Sequence, residues 1–276
     1  MLKRETLLKH IVQIYSLVVK DLRVKSRYKL EFIVEFFFPF LALFFPFIIF
    51  NTLFSLNVNV FRGYYSKANF VLFLLLGYVV HSFIFLLWHY KDLFFDEKTW
   101  KTLQGILISP VNKFNILIGY YISGLLTKTF IIIFMAILCY ILYPIPLIHL
   151  FFALLLLFCI SITFASMGFI LGCLEIVSEN VSASLAAGIS FIAILSCLFY
   201  PIEIFPESIH FIILFNPLYY YFDLLRLTWW SGISSSAFQY ITIMHILIVV
   251  FFTIITPIFA SIFFLKIVLK YGIRGY

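Results

Sequence analysis

Six apolar runs, each long enough to cross a bilayer, leave this chain almost no choice of solvent. They fall at about 36–56, 69–90, 114–140, 147–173, 181–200 and 238–265, and roughly 20 apolar residues carry a helix through a ~30 Å hydrocarbon core. Of the 276 residues only 11% are charged and 64% are hydrophobic, against about 25% charged in soluble domains. Lipid offers no partner to a free backbone group, so each run is predicted to be a helix. The expected fold is an all-α polytopic membrane protein, a single transmembrane domain over residues 1–276 with no room for a soluble unit.

The basic residues sit at the edges of the runs, so the net charge of +7 reads as membrane orientation and not as nucleic-acid binding. With both termini on one side, that side collects fifteen Lys and Arg: eight before the first run, four in 91–113 and three in the tail (Lys266, Lys270, Arg274). Arg62, Lys67 and Arg226 face them from the other side. The bias puts both termini and the 91–113 segment in the cytoplasm, with the chain in the cell membrane. Cys139, Cys159, Cys173 and Cys197 lie in or beside apolar runs with no C-x-x-C spacing, so they read as packing residues. Lys9, His10 and Gln13 interrupt the first apolar positions, which leaves no cleavable signal core.

Residues 6–29 alternate as an interfacial amphipathic helix. Leu7, Leu8, Ile11, Val12, Tyr15, Val18, Val19 and Leu22 form one face, and Lys9, Gln13, Ser16, Lys20, Arg23 and Arg27 the other. Pro39 and Pro46 predict a kink in the first span. A loop with Asn57, Asn59, Arg62 and Lys67 follows it. Asn112 is placed to cap the third span, Tyr143 to Pro146 makes a tight turn, and Glu175 to Glu179 reads as a short acidic link.

Four features have the residue types for function. Between spans two and three, Leu93, Trp100, Leu103, Ile106 and Leu107 recur at helical spacing, Glu97 and Lys101 are set for an i,i+4 ion pair, and Ser109-Pro110 stops the helix. Such a helix either docks on a partner or rests on headgroups. Between spans five and six, Pro201 and Pro206 end one helix, Ser208 to Leu214 make a short one, and Asn216-Pro217 starts another. Two half-length helices entering and leaving on one side make a re-entrant hairpin, or else a loop on the outer leaflet. Phe215, Tyr219, Tyr220, Tyr221, Trp229 and Trp230 read as interfacial anchors there. Lys128 falls near the middle of span three, where a charge costs at least ~2.5–3.5 kcal/mol. It snorkels to the outer side, is neutralised by burial, or faces a wet path, where it would attract an anionic headgroup; His81 in span two is a weaker path candidate. Gly168-x-x-x-Gly172 permits close helix packing.

The chain carries no G-x-x-x-x-G-K-[ST] loop and no metallohydrolase motif. It resembles the membrane subunit of an ABC-2 type exporter, most closely the branch of drug-exporter and nodulation-factor permeases. The likeness rests on the whole plan and on two motifs. Glu97…Thr102-Leu103…Ile106-Leu107-Ile108-Ser109-Pro110-Val111-Asn112-Lys113 is similar to the family's E…G-T-L-E-x-L-L-x-S-P-V-x-R, its cytoplasmic coupling helix. Tyr200-Pro201…Phe205-Pro206…Asn216-Pro217-Leu218…Asp223…Arg226 is similar to its outer re-entrant segment. Lys101 and Gln104 stand where the family has glycine and glutamate.

The resemblance implies a half-transporter and not an enzyme. It would pair with a second copy or a paralogue and with a separate ABC ATPase that holds the ATP and Mg; this chain would hold no cofactor. Glu97, Trp100, Leu103, Leu107, Ser109 and Pro110 would couple to that ATPase. Amphipathic, drug-like or lipid-like cargo is the expected substrate, with polysaccharide or lipid-linked glycan the alternative. An ion-gradient-driven transporter or channel is the competing class. It calls for acidic residues inside the spans, and none falls well inside them here.

Overall fold

The computed structural model describes residues 2–27, 29–55, 70–234 and 239–271. Asn57, Asn59, Arg62, Lys67 and Arg274 lie outside these residues. Within them the protein is all helical: α1 (Leu2–Lys25), α2 (Lys29–Ser55), α3 (Phe70–Thr99), α4 (Leu103–Ile108), α5 (Lys113–Leu142), α6 (Leu147–Val177), α7 (Glu179–Leu195), α8 (Glu207–Phe215), α9 (Pro217–Ile233) and α10 (Ile243–Tyr271).

By length and composition α3, α6 and α10 can each cross a membrane. A fourth crossing is α5 if its two arms, bent by 44° between Thr129 and Ile131, count as one span. The bend has a local cause. Thr127 Oγ1 donates back to Gly124 O and Thr129 Oγ1 to Leu125 O, both at 2.7 Å, and such back-bonding bends helices. The other two expected spans appear as shorter apolar stretches, Leu43–Ser55 in α2 and Ala183–Leu195 in α7. α7 stops short because Cys197 takes a left-handed φ of 61°, which a helix cannot continue through.

The core is built on α3, which packs against α2, α4, α5, α6, α7 and α9. Its closest neighbour is α6, and the reason is in the sequence. A Cβ added at Gly168 would lie 2.6 Å from Leu87 O, and one at Gly172 would collide with the Phe94 ring. The two glycines therefore let the α6 backbone touch α3, as small residues do at helix interfaces. Phe169, between them, stacks on Tyr90 with centroids 4.5 Å apart. Outward, α10 presents Leu247, Phe251, Ile255 and Ile262, and α6 presents Phe151 and Phe158, an all-apolar periphery suited to lipid.

Three expectations need correction. α3 does not end near residue 90 but runs to Thr99. The acidic link is not a loop: Glu175 is a buried residue of α6, and its Oε2 lies 3.5 Å from Lys91 Nζ. Tyr221 and Trp229 are not interfacial anchors but fully buried. The Tyr221 hydroxyl donates to Val249 O (2.9 Å) and lies 3.0 Å from Thr163 Oγ1, so it ties α9 to α10 and α6. Trp229 Nε1 donates to Tyr143 O (3.2 Å).

Gly172→Leu is expected to overpack the α3–α6 seam and to destabilise the protein by about 1–3 kcal/mol. Gly188, beside which a Cβ meets nothing within 4 Å, is the control: Gly188→Ala should be neutral or stabilise by about 0.5–1 kcal/mol. Thermal unfolding of the purified protein in detergent separates them, and equal midpoints would remove the seam from the account.

Candidate functional site

α3 ends in a two-bond left-handed cap. Thr102 N donates to Glu97 O (3.0 Å), Lys101 N to Lys98 O (3.1 Å), and Lys101 has φ of 58°. This pattern normally places glycine at the left-handed position and an apolar contact across the cap. Here lysine occupies the position, the one at which the exporter motif has glycine, and a hydrogen bond from the Thr102 hydroxyl to the Glu97 carboxylate replaces the apolar contact. The expected single helix through 93–107 is therefore broken into the end of α3 and the short α4.

The Glu97–Lys101 pair does not form. Glu97 is buried and turned toward the core, where it takes hydrogen bonds from Lys20 of α1, Thr102 and the Tyr120 hydroxyl of α5 (3.3 Å). One carboxylate so gathers α1, α3, α5 and the turn before α4. Other polar residues of α1 join it. Asn115 Nδ2 donates to Gln13 Oε1 (2.6 Å) and to His10 Nδ1 (2.8 Å), and Ser123 Oγ donates to Asp21 Oδ2 (2.7 Å). Lys25 Nζ lies 3.0 Å from His89 Nε2, where the ammonium donates to a neutral ring. Polar residues of α1 thus dock on α3 and α5, while Lys9, Ser16, Arg23 and Arg27 of the expected polar face are exposed. Leu8, Ile11, Val12 and Tyr15 on its apolar face are exposed.

Beyond the cap, Leu103 is 4% exposed and belongs to the core, while Ile108 is 75% exposed. Trp100 and Pro110 are exposed as well. The Leu107 side chain lies outside the described ones. Ser109 stops α4 with ψ of 149° before Pro110, and its hydroxyl donates to Ile106 O (2.6 Å). Asn112 Oδ1 accepts from Phe114 N (3.0 Å) and caps α5.

Between α1, α2, α3 and α5 lies a cavity of about 1510 Å³. Its wall includes Lys25, Phe85, Trp88, Asp92, Asp96 and Trp100. Lys128 is not on this wall. It is 1% exposed, with Nζ 5.4 Å from the centroid of the Phe85 ring, which does line the cavity. His81 stands between Phe85 and Phe199, with centroids at 5.3 and 5.4 Å.

At the opposite end, Asn216 and Arg226 close the broken end of α7. Asn216 Oδ1 caps α9 through Leu218 N (3.1 Å), with Pro217 in the first turn. Its Nδ2 donates to Ser196 Oγ (2.6 Å) and Ile192 O (2.9 Å). Arg226 donates to Cys197 O (2.7 Å) and Leu198 O, and its guanidinium lies 3.7 Å from the centroid of Phe73. Pro201 and Pro206 bracket a single 3₁₀ turn, Ile202–Ile204, before α8. A helix end in apolar surroundings needs such donors, since its last carbonyls have no others. Asp223 Oδ2 meets His245 Nε2 at 3.2 Å.

The structure thus brings Glu97, Leu103, Ser109 and Trp100 to one end and Pro201, Asn216, Pro217 and Arg226 to the other. Sequence reasoning missed Asp21, His89 and Tyr120 and the role of Lys20, and it missed His245 as the partner of Asp223. A signal was present in α1: His10, Gln13, Leu17, Asp21 and Val24 recur every three or four residues, the stripe of a packed helix.

The family model for ABC-2 type transporters matches residues 12–230, from α1 through nearly all of α9. A search of curated proteins finds no match.

Substitution of Lys101 tests the cap. Lys101→Gly should be neutral or stabilise by up to about 1 kcal/mol, while the β-branched Lys101→Val should cost about 1–2 kcal/mol. Glu97→Ala should do more damage than Lys20→Ala, because Lys20 is 41% exposed in its side chain and can swing to water while Glu97 is 6% exposed and leaves three donors behind. Hydrogen exchange across 100–108 reads both. Equal protection in Glu97→Ala and Lys20→Ala would deny Glu97 its central place.

Proposed function

The chain belongs to the ABC-2 type transporter family, as a multi-pass transport subunit, and on that premise we propose that it works as half of an ATP-driven exporter of amphipathic cargo. Two copies, or one copy and a paralogue, enclose the path, and two ABC ATPase subunits sit beneath. The six spans of this reading are α2, α3, α5, α6, α7 and α10, with α8 and α9 as the outer hairpin. Both termini are cytoplasmic because Lys and Arg gather at that end.

The observation that carries the reading is the buried Glu97 carboxylate under an exposed turn. A push from the ATPase lands on Trp100, Ile108, Ser109 and Pro110. Glu97 and Leu103 pass it into the core, because their bonds and contacts reach α1, α3 and α5 at once. Lys128, behind the Phe85 wall, and His81, one turn before Phe85, are the proposed path residues. The mixed apolar and aromatic wall of the cavity favours an amphipath over a glycan, whose hydroxyls ask for many more polar partners.

The outward and inward residues of the turn separate docking from folding. Ile108→Asp should abolish co-purification with the ATPase while the unfolding midpoint holds. Leu103→Asp, which buries a carboxylate in the core, should lose the fold itself. Retained co-purification in Ile108→Asp would leave the turn as a surface that merely rests on lipid. For orientation, Lys98→Cys should resist an impermeant thiol reagent added outside sealed cells and Ser234→Cys should react. The reverse pattern would place the ATPase on the wrong side.

A further inference from the structure

The turn that joins α1 to α2 carries charge that the fold does not use. Lys25 within it is engaged, with Nζ 3.0 Å from His89 Nε2 and 3.4 Å from Thr127 Oγ1. Arg23 and Arg27, two residues to either side, are exposed. Their guanidinium groups meet no hydrogen-bond or ion-pair partner among the described residues. The carboxylates of this end are taken. Glu97 accepts from Lys20, Asp21 accepts from Ser123, Asp92 is paired with Lys91, and Asp96 has a partner too. Neither arginine lines the cavity beside α1. Arg23, in the last turn of α1, complements the helix dipole. Arg27 lies past the end of the helix, so the dipole does not account for the pair.

The contacts of α1 set the depth of this turn. His10 and Gln13 meet α5 at Asn115, Asp21 meets it at Ser123 and Lys25 at Thr127, so α1 runs beside α5 in the same direction. It ends at the level of His89, two residues before Lys91, whose pair with Glu175 (3.5 Å) closes the apolar stretches of α3 and α6. Arg23 and Arg27 therefore stand where hydrocarbon gives way to water. From there α2 departs with Leu30, Phe37, Leu41 and Phe44 all exposed, a row suited to acyl chains. Free guanidiniums at the boundary and an apolar row beyond them match one kind of molecule. The fork of a guanidinium fits two phosphate oxygens, and a headgroup with its own ammonium gives back part of that attraction.

We propose that the elbow between α1 and α2 binds an anionic phospholipid, with Arg23 and Arg27 on its phosphodiester and the exposed row of α2 along its chains. That its leaflet is the cytoplasmic one rests on the orientation proposed above; the binding does not. The thiol labelling of Lys98→Cys reads the orientation separately, so either can fail alone.

The purified full chain in detergent is titrated with dioctanoyl phosphatidylglycerol, dioctanoyl phosphatidylethanolamine and glycerol 3-phosphate, and the thermal unfolding midpoint is followed. Phosphatidylglycerol should raise the midpoint saturably and act roughly tenfold more tightly than phosphatidylethanolamine, since each base near an anionic surface is worth about fivefold. Glycerol 3-phosphate should leave the midpoint where it is. Arg23→Gln should weaken the phosphatidylglycerol response about fivefold, and the double variant Arg23→Gln, Arg27→Gln should abolish the preference. Lys266→Gln removes an exposed base of the same end from α10 and should leave the response intact.

Purely structural arginines would lower the midpoint equally with and without lipid, and that result overturns the proposal. Equal responses to the two lipids overturn it as well. A response to glycerol 3-phosphate that matches phosphatidylglycerol makes the elbow a site for soluble anions and refutes the lipid. A loss in Lys266→Gln as large as in Arg23→Gln leaves only the general charge of this end. Should the double variant fail to fold, Arg23→Gln alone decides: an undiminished phosphatidylglycerol response in it refutes the site.

Discussion

Hydrocarbon gives a buried polar group nothing to bond to, and the polar side chains at both ends of α3 are arranged around that fact. An unpaired group there costs several kcal/mol, so polar side chains can be kept only in sets that satisfy one another. Among the described residues, two such sets stand at the two ends of α3. One is centred on Glu97, which takes hydrogen bonds from Lys20, Thr102 and Tyr120. The other is centred on Arg226 and Asn216, which supply the donors that the broken end of α7 lacks. Removing one member strands the rest, and stranding a buried charge costs more than the intact set contributes. Helices that share a set are therefore held as a unit.

The two sets are joined by one rigid element. Gly77 near the start of α3 admits Leu198 O and the Arg226 guanidinium, and Glu97 stands near its end. Twenty residues of helix, about 30 Å at 1.5 Å each, separate them. α3 is also braced along its length by the glycine seam with α6 and by the Tyr90–Phe169 stack. Close-packed interiors shift between discrete arrangements and do not bend smoothly. On the proposed reading, a displacement of the turn after Thr99 is delivered to the base of the hairpin without being absorbed on the way.

What was legible in the sequence was what is local. Asn112 and Asn216-Pro217 announced their helix starts, because a cap and its target lie two residues apart. Gly168 and Gly172 announced a close approach, because only small residues permit one. The cap after α3 was hidden, since its glycine signature had become Lys101, and with it went the true end of the helix. The pairing of Glu97 was hidden for another reason. Lys101 is four residues away and Lys20 is 77 away, and nothing local tells a carboxylate which to prefer. The inward turn of Leu103, Tyr221 and Trp229 was equally invisible, because amphipathic spacing fixes which residues share a face and not what that face meets.

Lys128 shows the limit of reasoning from depth. A lysine near mid-membrane is expensive wherever it points, so its presence predicts a special environment but not which one. Water was one solution. The structure uses burial, with the side chain fully covered beside the Phe85 ring, on the helix that Thr127 and Thr129 bend. An aromatic face offers a cation part of what water would, so Lys128 can sit one layer behind the cavity without opening onto it.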